Sequence, residues 1–120
     1  MRNTSKYLGA PAVAVEAGCP SRFHVWQGAS GRRYLFTEVE QEALAHFRDV
    51  VVLLADRSGD GALAVGRLTL LDANTDLRAL LRDVVGRRRM VLVHLLARTP
   101  LARRAAIDDL SGEEWLAVAA

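Results

Sequence analysis

The chain has 120 residues, room for one domain, and 51% of it is apolar, too much for a disordered segment. A formal charge of +2 is small for a protein that holds nucleic acid by phosphate contacts alone. The single cysteine, Cys19, excludes an intramolecular disulfide and a cysteine-based zinc site, and no apolar run is long enough to span a bilayer.

Residues 1–20 read as a flexible tail and 21–120 as one domain. "MRNTSKYLGAPAVAVEAGC" begins basic and turns weakly apolar, as an export leader does. Pro11 and Glu16 interrupt that run, so a tail and a cytoplasmic location are expected. "RFHVWQ" alternates, with Phe23 and Val25 on one side and His24 and Trp26 on the other. "GASG" supplies a turn before "RRYLF", which predicts a β-hairpin. Thr37 with Glu40 has capping-box spacing, and Val39, Ala43, Leu44 and Phe47 form an apolar stripe. A short helix starting at Thr37 is therefore predicted.

"DVVVLLADR" is a continuous, valine-rich apolar run, as expected of a strand buried on both faces. "SGDG" turns the chain into a partner strand, "ALAVGRL". Gly66 is unexpected in that strand. It gives up packing and predicts a bulge or the close approach of another backbone or a ligand. "LLDANTDLRALLRDVV" predicts a helix capped by Asn74 or Thr75, with Asp76 in its first turn and Gly86 ending it. Leu77, Leu80, Leu81 and Val84 form its apolar face, and Arg78 and Arg82 lie on the wet side. "MVLVHLLA" is a second buried strand. Thr99 and Pro100 then open a helix, and Ser111 with Glu114 predicts another short one, with Leu110 stapled to Trp115. The predicted fold class is α+β: a small mixed sheet in the order hairpin, helix, hairpin, helix, strand, helices, with the helices packed on it.

From about residue 49 to 110 this order resembles the GIY-YIG nuclease family. The resemblance rests on "AVG" (Ala64 to Gly66) and "DLRALLRDV". Small bacterial relatives place an "SGxRYxF" hairpin ahead of such a core. Here that is "SGRRYLF" (Ser30 to Phe36), with "VHL" (Val93 to Leu95) and an "R…DL" helix (Arg103 to Leu110) following. The resemblance implies a nuclease scaffold with two tyrosines that activate water, a helix arginine, and a glutamate holding magnesium. The tyrosine positions fall on Leu53 or Leu54 and on Ala64, none of which offers a side-chain hydrogen bond. The arginine falls nearest Leu80, with Arg78 and Arg82 as displaced substitutes, and the glutamate near Ile107 or Asp108, of which only Asp108 suits a hard cation. On this resemblance the scaffold is expected to be kept and the chemistry lost.

The remaining candidates have bland alternatives. "GRRRM", with Arg87, Arg88 and Arg89, joins Arg78, Arg82, Arg103 and Arg104 either as a phosphate patch or as a solvated surface offset by Asp76, Asp83, Asp108 and Asp109. His24, His46 and His94 lie on separate elements, and His94 is expected to be a satisfied core residue or a residue at the strand edge. Glu38, Glu40 and Glu42 are expected on a wet helix face. Trp26, Tyr34 and Phe36 share a hairpin face: exposed, they would be a partner surface, and otherwise the first helix covers them. The expected function is a non-catalytic interaction module, binding a protein partner or itself and no membrane, with Trp26, Tyr34, Gly66 and Arg87 to Arg89 as binding candidates. The alternative is a nucleic-acid-binding or weakly active, magnesium-dependent nuclease domain using Arg78, Arg82, Asp108 and the basic loop.

Overall fold

The computed structural model describes residues 5–10, 22–59 and 62–112. Six strands, β1 (Lys6–Gly9), β2 (Phe23–Gln27), β3 (Arg33–Val39), β4 (Val50–Arg57), β5 (Leu63–Leu71) and β6 (Met90–His94), form one sheet in the order β1-β2-β3-β6-β4-β5. A 3-10 helix (Gln41–His46) follows β3, α1 (Leu77–Arg87) precedes β6, and α2 (Pro100–Ser111) follows it. The fold is α+β. Every strand pairing is antiparallel, where a mixed sheet is expected from the sequence. The sheet curls enough to bring β1 against β5.

The two continuous apolar runs become the interior strands β4 and β6, covered on both faces. One face packs Trp26, Tyr34, Phe36, Val51, Leu53 and Leu92 against Ala106 and Leu110 of α2. The other packs Val50, Val52, Leu54, Val91 and Val93 against Leu80 and Val84 of α1 and Leu44 of the 3-10 helix. The first is the α2 face of the sheet and the second the α1 face. Burying one leucine side chain stabilises by about 1.5–3 kcal/mol, so this two-layer packing dominates the fold.

Four local expectations are corrected. No helix starts at Thr37. Thr37, Glu38 and Val39 continue β3 and pair with Val93, Leu92 and Val91, and a ladder with a strand over fifty residues away overrides the capping box. Lys6–Gly9, expected in a tail, is an edge strand, because Tyr7 packs against the α2-face core. The cap of α1 is Asp76, whose carboxylate accepts from the Ala79 N–H at 3.1 Å, in place of Asn74 or Thr75. Helix α1 runs through Gly86 and ends on Arg88 in the left-handed conformation, φ 54°. By contrast Thr99 caps α2 as expected, accepting from Ala102 N–H at 3.0 Å with Pro100 behind it. Ser111, expected to cap a further helix, is the last residue of α2, and its hydroxyl donates to the Asp108 carbonyl at 2.9 Å; Glu114, Trp115 and the helix expected there lie outside the described residues.

Gly66 sits at a bulge. Leu54 pairs with Arg67 but Ala55 pairs with Val65, so Gly66 is the extra residue on β5. The insertion resets the alternation. Leu63 and Leu68, five residues apart, both reach the α2-face core, which an unbroken strand forbids.

Candidate functional site

The group that approaches Gly66 is Arg89. A Cβ on Gly66 would lie 2.5 Å from its Nε and 2.7 Å from its Cζ. The guanidinium is only 9% exposed; its Nε donates to Asp56 at 2.9 Å and its Nη1 to Asp83 at 2.6 Å. The hydrogen bond to Asp56 raises the pKa of Arg89; burial opposes this, and the charges of Asp56 and Asp83 add to the rise. Asp83 also receives Arg87 at 3.4 Å and Arg67 at 3.7 Å. The glycine thus makes space for a buried cation that ties the start of β6 to β4 and α1. Of the "GRRRM" arginines, Arg87 and Arg89 are ion-paired and Arg88 is the exposed helix cap. Beside this loop lies a shallow recess of about 270 Å³ bounded by Arg89, Met90 and the acidic run Glu38, Glu40 and Glu42, a poor neighbour for phosphate. These glutamates lie on the end of β3 and the 3-10 helix, and not on the expected helix face.

The nuclease candidates do not converge. Arg78 and Arg82 are exposed on α1, against one face of the sheet, and Asp108 is on α2, against the other. Asp108 accepts Arg104 at 3.3 Å, one turn away. At the positions the family resemblance assigns to its tyrosines and arginine, Leu53, Leu54 and Leu80 are core residues and Ala64 is exposed. Ile107 packs at the edge of the α2-face core. Among the described residues no three His, Cys, Asp or Glu side chains are grouped to hold a metal ion.

The "SGRRYLF" hairpin is explained by Asp109, a residue the sequence marks only as a surface charge. Its carboxylate accepts from Ser30 N–H at 2.8 Å, Ser30 Oγ at 2.7 Å and Tyr34 Oη at 2.8 Å. Ala29 N–H donates to its main-chain carbonyl. A Cβ on Gly28 would fall on that carboxylate, and Gly31 turns the hairpin at φ +92°. Burial pushes the Asp109 pKa up, but the Ser30 and Tyr34 hydrogen bonds and the nearby Arg32 outweigh it, so the carboxyl titrates below its usual range. Burial first, then the hydrogen bond to Asp109 and its charge, push Tyr34 up to about 12. Trp26 and Tyr34 are therefore buried, and the expectation of an exposed aromatic patch is corrected. Helix α2 and β1 cover this face, and not the first helix.

A second polar chain crosses β1, β2 and β3. His24 Nε2 lies 3.2 Å from Glu38 Oε1 and its Nδ1 2.8 Å from Tyr7 Oη. A carboxylate can only accept, so Nε2–H donates to Glu38 and, in the neutral ring, Tyr7 O–H donates to Nδ1. Burial holds the Tyr7 pKa above its usual value; Arg57 lowers it and Glu38 raises it. The phenol is thus a protonated anchor for β1. His94 is the satisfied core residue expected, its Nδ1–H donating to the Leu35 carbonyl at 2.8 Å beside the Tyr34 and Phe36 rings. His46 is exposed on the 3-10 helix. The Tyr7 chain could not be found from "SKYLG", because its partners are supplied by strand pairing.

No helix is long and apolar enough to cross a membrane among the described residues. Comparison with protein-family models, with curated proteins and with solved structures gives no match to this chain.

Proposed function

We propose that the chain is a non-catalytic interaction module that works by binding a protein partner, on a scaffold resembling the GIY-YIG core in element order. The cytoplasm is its compartment in this reading. The observation that carries it is the distribution of charge. Arg87 and Arg89 answer Asp83 and Asp56, Arg104 answers Asp108, and α1 and α2 separate the remaining nuclease candidates onto opposite faces. Phosphodiester hydrolysis needs a positioned nucleophile, charge stabilisation and usually a metal within one site. Here the strongest polar constellations, around Arg89, Asp109 and His24, are each closed by internal partners. The test is incubation with single- and double-stranded DNA and with RNA in the presence of Mg²⁺ or Mn²⁺. The expected result is no cleavage above a protein-free control. Cleavage that is abolished by Asp108→Ala overturns the proposal in favour of a nuclease.

A further inference from the structure

Among the described residues the α1 face of the sheet is covered only in part. Helix α1 and the 3-10 helix pack over β4, β5 and β6. Over β1, β2 and β3 the same face carries Val25 and Leu35, both half-buried and in neither apolar core. Leu95, 45% exposed, lies next in chain to His94, whose ring is bonded to the Leu35 carbonyl. Three strands about 4.8 Å apart make a floor roughly 10 Å across, the width of one helix.

Charge says which kind of helix. Lys6, Gln27 and Arg33 are aligned in one row across the three strands. Tyr7, Trp26 and Tyr34, the next residues along, point to the α2 face, so this row points to the uncovered one. Lys6 and Arg33 are exposed, and neither has an ion-pair partner among the described residues. Two unneutralised cations thus border an apolar floor at its hairpin end.

Building on the interaction-module proposal, we infer that this half-face is the docking site for an amphipathic helix of a partner protein. The helix lays its apolar stripe on Val25, Leu35 and Leu95 and sets carboxylates over Lys6 and Arg33. A helix C-terminus at that end adds its own partial negative charge.

The test uses the full chain, isotope-labelled, and two synthetic helical peptides of about 15 residues. Both carry leucines at i, i+3, i+4 and i+7. One ends in a glutamate-rich turn and the other in a lysine-rich turn. The expected result is amide shifts concentrated in β2 and β3, with the glutamate peptide binding about three- to tenfold more tightly. Leu35→Asp is expected to abolish the shifts. The paired change Lys6→Glu and Arg33→Glu, at exposed positions that do not threaten folding, is expected to reverse the preference. No shifts, shifts confined elsewhere, or equal affinity for the two peptides overturns the inference. So does dimerisation of the free chain that Leu35→Asp removes, which assigns the face to a second copy. Failure here without nucleic-acid cleavage removes this surface and leaves the module proposal standing; cleavage removes the proposal beneath it.

Discussion

Gly66→Ala is expected to lower stability by about 2 kcal/mol, and most of that loss is expected to disappear when Arg89 is already alanine. The added methyl occupies the place of the guanidinium. Arg89 must leave Asp56 or Asp83, and breaking one side of a buried ion pair costs about 3–5 kcal/mol. That figure is reduced here because the Asp56 side chain is 47% exposed and because Asp83 keeps Arg67 and Arg87. In the Arg89→Ala background the methyl has room, and alanine regains the backbone entropy that glycine loses in a strand. Urea unfolding of the two single variants and the double variant measures the coupling. Additive losses would show that the bulge alone, and not the cation, requires glycine.

Asp109→Ala is expected to cost about 3 kcal/mol. It leaves the Tyr34 hydroxyl, nearly buried, and the Ser30 N–H without their acceptor, and hydrogen bonds to a charged group contribute about 1.5–3 kcal/mol each, less at the exposed Ser30. The pH dependence has two limbs. The Asp109 pKa is depressed in the folded protein, so its contribution is complete above the unfolded value of about 3.9 and is lost as pH falls through the lower folded value. Tyr34 is raised to about 12, so its contribution is complete below about pH 10 and is lost between pH 10 and 12. Asp109→Asn keeps an acceptor but removes the charge. Thermal unfolding across pH should then show a flattened acid limb. An acid limb unchanged in Asp109→Asn would mean that other carboxylates set it.

Much of the architecture can be read from local pattern. "VVVLLA" and "MVLVH" are interior strands because an unbroken apolar run satisfies a strand covered on both sides. The Thr99–Pro100 start of α2 is local chemistry and holds. The cap and the end of α1 are local misses, Asp76 and Arg88 standing where Asn74 or Thr75 and Gly86 are expected, but the larger failures occur where a distant segment decides. β3 runs on past Thr37 because β6 is there to pair with it, and "KYLG" is a strand because Trp26 and His24 receive Tyr7. Gly66 announces that something must come close, but nothing in "ALAVGRL" names Arg89. The polar site was the least legible part. Ser30 and Asp109 are 79 positions apart, and whether an arginine is free or paired depends on neighbours that only the fold supplies. The half-covered sheet face was hidden for the same reason, since the alternation in β2 and β3 fixes which residues face outward but not whether a helix arrives to cover them.

The ion-paired arginines are engaged inside the fold and not available to phosphate. Nucleic-acid affinity measured against salt reads this directly, because the slope of log K against log [salt] is about −0.9 per phosphate neutralised on duplex DNA. With Arg67, Arg87, Arg89 and Arg104 paired internally, the prediction is no saturable binding near 150 mM salt and, at low salt, a slope no steeper than about −2. A slope of about −4 or steeper, made shallower by Arg88→Ala or Arg78→Ala, would contradict it.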